Sequence, residues 1–175
     1  DAVRAMMLDG RFGASGARVL IEECMTGREV TVLCFCDGHT IRPMPASQDH
    51  KRAYDGDLGP NTGGMGAIAP SPLYTPEIAA RVEREILRPT LAAMNAEGIA
   101  FKGVLYVGLM LTPEGPKVVE YNARFGDPET QALLPLLDSD LMAIFQAVRD
   151  GQLAQAHIRW RDESAGCVGL ASGGY

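Results

Sequence analysis

The chain lacks any surplus of basic charge. Its 175 residues carry 16 Lys and Arg against 22 Asp and Glu, a formal net charge of −6. A general nucleic-acid or anionic-membrane binder carries a basic excess, so neither nucleic acid nor membrane is expected as a partner. No uninterrupted apolar run approaches the ~18 residues that span a bilayer, and no basic start leads into an apolar stretch. The expectation is a soluble, cytoplasmic protein. Cysteine is scarce, at four residues. Cys24 and Cys167 are isolated, while Cys34 and Cys36 stand two apart in an apolar strand pattern and share a face. That spacing fits neither a zinc knuckle nor a redox pair, and reduced core thiols are expected. Repeats and low-complexity tracts are also lacking. What remains is ordinary globular composition, 46% hydrophobic and 22% charged, which excludes disordered and collagen-like classes. The length suits one core. Residue 1 is Asp and the sequence stops at Tyr175 soon after an apolar run, so both ends are expected to be cut.

Along the chain, Ala2 to Leu8 reads as the end of a short helix and Gly10 to Gly16 as a loop. Val19, Leu20 and Ile21 predict a strand, and Glu29 to Cys36 a second one rich in β-branched and aromatic residues. Asp37 and Gly38 signal a hairpin returning through Thr40 to Arg42. Thr75 and Pro76 supply a cap and a first-turn proline for a helix running to Gly98, which Pro89 should kink. Phe101 to Leu111 and Lys117 to Asn122 predict two further strands joined by a turn at Pro113 to Gly115. Asp127 and Pro128 open a helix. A last helix takes Ser139 as its cap, buries Leu141, Ile144, Phe145 and Val148, and stops at Gly151. The class is α+β with a mostly antiparallel sheet flanked by helices.

Glycine and proline are over-represented, and the surplus is local: Gly56 to Pro72 holds five glycines and three prolines. From Pro43 to Pro72 no period is visible. A loop of about 30 residues is either disordered or functional, and its apolar residues Leu58, Met65 and Ile68 favour an ordered, functional one.

Three constellations can carry chemistry. Glu120, Asn122 and Arg124 share one face of a strand at i, i+2 and i+4. A carboxylate and an amide oxygen so placed can converge on a hard cation, Mg²⁺ or Mn²⁺ rather than zinc, while the guanidinium forks phosphate oxygens. The alternative is a Glu120–Arg124 surface ion pair on an edge strand. Glu22, Glu23, Cys24 and Met25, followed by Glu29, could offer backbone groups to a purine edge and a carboxylate to ribose hydroxyls, or form a solvated turn. In the third, Asp49, His50, Lys51 and Arg52 precede Gly63, Gly64, Met65 and Gly66, whose backbone could make an anion nest. No Gly-Lys-Ser/Thr follows, so this is not a Walker loop. His50 reads as a solvated loop residue, and His39 and His157 receive no role.

The runs Gln48-Asp49-His50-Lys51-Arg52, Gly59-Pro60-Asn61-Thr62-Gly63-Gly64-Met65-Gly66 and Glu120-Tyr121-Asn122-Ala123-Arg124-Phe125-Gly126-Asp127-Pro128-Glu129 together resemble the glycinamide ribonucleotide synthetase (phosphoribosylamine–glycine ligase) family of ATP-grasp enzymes. The resemblance covers essentially the whole chain. It implies ligation of glycine to 5-phosphoribosylamine in purine biosynthesis, with ATP converted to ADP and phosphate by way of glycyl phosphate. It assigns Glu120 and Asn122 to the metal, Mg²⁺ or Mn²⁺, and Arg124 to the transferring phosphoryl group. ATP is assigned to Glu22, Glu23, Cys24, Met25 and Glu29. Asp49, Lys51, Gly63, Gly64, Met65 and Gly66 fall to the two substrates. It further implies that residues 1–22 are the tail of an ATP-grasp lid lobe, 23–163 the main catalytic lobe and 164–175 the start of a C-terminal domain. The remaining domains of the polypeptide would then be needed for turnover. The same residues leave open another ATP-grasp carboxylate–amine ligase, or a nucleotide-binding module without catalysis.

Overall fold

The computed structural model describes residues 1–56 and 58–173. It opens with α1 (Ala2–Met7) and a 3-10 turn over Gly13–Ala17. The strand expected over Val19–Ile21 does not form. Leu20 and Ile21 are 82% and 78% exposed, and no described strand pairs with them. Extended backbone closes its hydrogen bonds only against a neighbour, so apolar residues alone do not make a strand.

β1 (Arg28–Asp37) and β2 (Ile41–Pro43) form the hairpin expected around Asp37 and Gly38. Asp37 is buried, and its carboxylate accepts the N–H groups of His39 (2.9 Å), Thr40 (2.6 Å) and the distant Leu153 (2.9 Å). Burial alone would raise its pKa, but these donors, with the nearby His39, hold it below the ordinary carboxylate value. One side chain thus ties the hairpin to the far end of the chain.

The stretch from Pro43 to Pro72 is ordered, and it is not structureless. It contains β3 (Gln48–Asp49), β4 (Arg52–Tyr54), β5 (Leu58–Asn61) and β6 (Gly66–Ala69). Strands of two to four residues are too short for an alternating pattern to register, so the sequence conceals them. α2 (Pro76–Val82) begins where predicted, with Thr75 Oγ1 accepting the Ile78 N–H. Pro89 does not end the helix. A single π-turn, Glu83–Leu87, accommodates the proline ring and its missing N–H, and the helix resumes as α3 (Arg88–Ala96).

β7 (Lys102–Thr112) and β8 (Gly115–Asn122) form the second hairpin, followed by α4 (Glu129–Leu133), α5 (Leu141–Asp150) and β9 (Ala165–Val168). The cap of α5 is Asp140 rather than Ser139. Asp140 accepts the N–H groups of Met142 (2.8 Å) and Ala143 (3.3 Å), where a negative charge also meets the helix dipole. Ser139 Oγ instead accepts the Arg159 N–H at 2.9 Å and donates to the His157 carbonyl. Gly151 closes the helix as expected.

The central sheet runs β2-β1-β7-β8, a second runs β3-β6-β9, and β4 pairs with β5. All these pairings are antiparallel. Alternation along β1 sends Val30, Val32, Cys34 and Cys36 to one face, against Val82, Ile86 and Leu87 of the helical layer. Leu33 and Phe35 point to the other, against Leu133, Leu136, Ile144 and Val148. Cys34 and Cys36 are core residues, and burial pushes the Cys36 thiol up to about 12. No helix among the described residues is long and apolar enough to cross a membrane.

Asp37→Ala leaves three N–H groups without their acceptor and is expected to destabilise the intact protein by about 3 kcal/mol. Asp140→Ala removes an exposed cap and is expected to cost about 1 kcal/mol. Midpoint shifts in chemical denaturation at unchanged m-value check the ranking; equal losses contradict it.

Candidate functional site

The site lies on the sheet face shared by Leu33 and Phe35, toward the Glu29 end of β1. On β8, the edge strand of that sheet, Glu120 pairs with Gly108 and Asn122 with Tyr106 of β7, which puts both side chains on the same face. Gly108 has no side chain, and a Cβ there would stand 3.1 Å from Glu120 Cγ. Glu120 therefore lies across β7. The alternative Glu120–Arg124 ion pair does not form. Glu120 is exposed and takes part in no ion pair among the described residues. Arg124 lies over the Tyr106 ring, 5.4 Å from its centroid, and donates to the Phe125 carbonyl at 2.8 Å. Asn122 is half-buried, and its Nδ2 has no acceptor.

Asp49, at the end of β3, and Lys51, between β3 and β4, face these residues. Asp49, Lys51, Tyr106, Glu120, Arg124 and Glu129 line one cleft of about 330 Å³, with Gly63 at its rim. Lys51 reaches Glu29 of β1 at 2.9 Å, and a contiguous hollow of about 660 Å³ extends past that pair toward Arg28 and Arg52. Burial pulls the Lys51 ammonium down, but its hydrogen bond to Glu29 and the charges of Glu29, Asp49 and Glu120 outweigh this and hold it above its usual value. Burial first, and then the charge of Glu129, push the Asp49 carboxyl up to about 6 against the pull of Lys51. Another hollow of about 520 Å³, between α5 and residues 152–159, contains none of the predicted residues.

The remaining predicted residues fall in two groups. Glu22, Glu23, Cys24 and Met25 form an extended segment outside the cleft, where Glu23 meets Lys117 of β8 at 2.6 Å. Gly64 and Gly66 pack closely against their neighbours, while Gly63 stands open. Gly64 donates its N–H to Thr62 Oγ1 at 3.1 Å, and Met65 donates to the His50 carbonyl at 2.8 Å. At Gly64 (φ 133°) a Cβ would collide with Pro128 and stand 2.9 Å from Asp49 Oδ1, so only glycine lets the loop seat against Asp49. Gly66 lies equally close to Cys167 of β9.

Sequence reasoning missed the floor of the cleft. Glu129 is 2% exposed. Its Oε1 accepts the Tyr106 hydroxyl at 2.8 Å and the Thr31 hydroxyl at 3.2 Å, and those two hydroxyls are 3.1 Å apart. Burial first, and then the neighbouring Glu129 charge, raise the Tyr106 pKa against the opposing influence of the adjacent Thr31 hydroxyl, so its hydroxyl keeps its proton. A signal existed: Thr31 between Val30 and Val32, and Tyr106 between Leu105 and Val107, are hydroxyls in otherwise apolar strands. Glu129 itself reads as an ordinary first-turn helix acid.

The donor set at the end of β8 fits a hard divalent cation. Glu120 offers an unpaired carboxylate, Asn122 an amide, and neither thiolate nor imidazole stands beside them. Among the described residues no group of three or more His, Cys, Asp and Glu is arranged to hold a metal ion alone. Two protein ligands suit a cation that completes its shell with phosphate oxygens and water.

An antiparallel sheet flanked by helices on both faces, with a cleft at the Glu29 end of one of them, is here the ATP-grasp fold. The chain belongs to the phosphoribosylglycinamide synthetase family, whose ATP-grasp (A) domain matches residues 1–130. Phosphoribosylamine–glycine ligase of Caulobacter vibrioides is 56% identical over 176 residues, covering 100% of this chain and 41% of that protein. The ligase of the same name from Mesorhizobium japonicum is 52% identical over 178 residues, covering 100% of this chain and 42% of its own length. The crystal structure of phosphoribosylamine–glycine ligase from Thermotoga maritima superimposes with a TM-score of 0.78 at 34% identity, over 88% of this chain and 38% of that one. The chain spans about two-fifths of the length of these relatives.

Asp49 supplies a pH test. Its folded pKa, about 6, lies above its usual 3.8, so folding favours the protonated carboxyl. The resulting contribution to stability is complete below about 3.8, and it is lost as pH rises through about 6. Carboxyl NMR of the intact protein should show the Asp49 midpoint near 6, and Lys51→Met should raise it. A midpoint near 4, or a fall in Lys51→Met, contradicts this electrostatic account.

Proposed function

We propose that the protein containing this chain ligates glycine to the amino group of 5-phosphoribosylamine, converting ATP to ADP and phosphate, in the cytoplasm and as a step of purine biosynthesis. The reading is carried by one observation: in a chain of this family, the unpaired Glu120 carboxylate, Arg124 and Lys51 line one cleft, with Asn122 on the same strand face as Glu120. A glycine carboxylate oxygen bonds to the γ-phosphorus as the bond to ADP breaks. The amine then attacks the acyl carbon, phosphate leaves, and the nitrogen gives up a proton. Phosphoryl transfer of this kind depends on positioning and charge neutralisation and needs no protein nucleophile.

Glu120 and Asn122 would hold a divalent cation, Mg²⁺ or Mn²⁺, which when bound supplies positive charge to the β- and γ-phosphate oxygens. Arg124, already fixed over Tyr106, stabilises the charge on the transferring group. Glu29 would take the ribose of ATP, and Glu22, Glu23, Cys24 and Met25 the adenine. Asp49, Lys51 and the Gly63, Gly64, Met65 and Gly66 loop face glycine and phosphoribosylamine. Residues 1–22 are assigned to the tail of the lid lobe, 23–163 to the main lobe and 164–175 to the start of a C-terminal domain; of that last segment, Gly174 and Tyr175 lie outside the described residues. β9 pairs with β6, which anchors its first residues on the main lobe. The other domains of the polypeptide complete the site.

In the intact protein, ADP release dependent on both glycine and phosphoribosylamine is expected. Arg124→Ala should lower kcat about 10³-fold, and Glu120→Ala or Asn122→Ala should abolish turnover. Activity with a different carboxylate and amine, and none with this pair, would select another ATP-grasp ligase. Full activity in Glu120→Ala would return the trio to a solvated strand face.

A further inference from the structure

Arg124 is exposed and stands in a bend past the end of β8, so no ladder of backbone hydrogen bonds fixes it. Four carboxylates, Asp49, Glu120, Asp127 and Glu129, line the same cleft, and among the described residues it forms an ion pair with none of them. Its guanidinium donates to the adjacent Phe125 carbonyl at 2.8 Å. Its other partner is the Tyr106 ring, whose centroid lies 5.4 Å from Cζ. A long side chain with this freedom loses up to about 2 kcal/mol of rotamer entropy when it is held in one place, and the ring is the one contact here that does not come from its own neighbour in sequence.

The kind of contact matters for a group that must meet phosphoryl oxygens. An ion pair with a cleft carboxylate would take the donors of the guanidinium fork and cancel its charge. Attraction to an aromatic face holds the cation and leaves its charge in place. The ring is itself fixed at both ends. Tyr106 is buried, and its backbone lies in β7, between β1 and β8. Its hydroxyl donates to Glu129 Oε1 at 2.8 Å and stands 3.1 Å from the Thr31 hydroxyl. A Cβ on Gly126 would collide with Glu129 Oε2 and stand 3.1 Å from Tyr106 Cε2, so glycine there keeps the ring and its acceptor together. A phenol that donates to a carboxylate is polarised toward a more electron-rich ring, which attracts a cation more strongly.

We infer that Tyr106 is a positioning residue for phosphoryl transfer: its ring is the seat that holds the Arg124 guanidinium at the cleft, and Glu129 locks the seat through the phenol hydroxyl. The inference rests on the proposed function, which gives Arg124 the transferring phosphoryl group. Tyr106 acts on that group only through Arg124, and Glu129 and Thr31 act on Arg124 only through the ring. Without the ring, the guanidinium is free to pair with a neighbouring carboxylate, and its charge is lost to the reaction.

The test measures ADP formation by the intact protein at saturating ATP, glycine and phosphoribosylamine. Tyr106→Leu should lower kcat about tenfold, with the ATP KM changed by less than about twofold. Tyr106→Phe keeps the ring and loses the lock, and should cost only about threefold. Equal losses in the two variants overturn the inference. The decisive series is Tyr106→Phe carrying one, two or three ring fluorines, which withdraw electrons from the ring face at nearly constant shape. Here kcat should fall with each fluorine, whereas a role in packing alone leaves it flat. In the Arg124→Ala background the same series, and Tyr106→Leu, should change kcat by less than about twofold, because residues acting through one group are not additive. A flat series in the protein with Arg124, or one equally steep without it, overturns the assignment. If Tyr106→Leu does not fold, the fluorine series decides. Absence of glycine-dependent ADP release in the wild type, or full activity in Arg124→Ala, defeats the functional reading itself and is visible before any change at Tyr106.

Discussion

The hydrogen bond from the Tyr106 hydroxyl to the buried Glu129 carboxylate, 2.8 Å long, is the contact around which the site is organised. It joins β7 to α4, and with Thr31 it brings in β1. It holds the Tyr106 ring on which Arg124 rests. It also fixes a negative charge beneath the cleft, which is felt at Asp49. Glycine at 126 follows from the same constraint, since any side chain there would meet the carboxylate. Removing the bond would unsettle three elements and one guanidinium together.

The sheet makes this arrangement possible by dividing its two faces. One is wholly apolar, packed by the α2–α3 layer, and provides stability without chemistry. The other is apolar near Leu33 and Phe35 and turns polar toward Thr31 and Glu29. There Glu120 from the edge strand faces Asp49 of β3 and Lys51 just beyond it. The cleft sets four carboxylates, Asp49, Glu120, Asp127 and Glu129, against two cations, Lys51 and Arg124, a formal −2 out of the −6 of the chain. On the proposed function, anionic phosphates would be met locally by Lys51, Arg124 and a cation at Glu120 and Asn122.

Long elements were legible because their periods are long enough to read. β1, β7, β8 and the helix from Thr75 follow directly from apolar spacing and caps. The alternation of Glu120 and Asn122 announced the site face, but Arg124 lies past the end of β8 in a bend, seated on the Tyr106 ring rather than on the strand face. Short strands in the Gly- and Pro-rich stretch were hidden, because two or three residues cannot display alternation. Val19 to Ile21 carry strand propensity without a partner, and pairing is a property of the neighbour. Ser139 and Asp140 are adjacent candidate caps, and the choice was made by Arg159 and His157, far along the chain. Glu129 was the deepest omission. A charged residue in a first helical turn gives no local sign that two distant hydroxyls will meet it in the interior.

The most direct test is a crystal structure of the intact protein with Mg²⁺, glycine and a non-hydrolysable ATP analogue. The account predicts a cation bound by oxygens of Glu120 and Asn122 at about 2.1 Å. A cation held by other residues would contradict it.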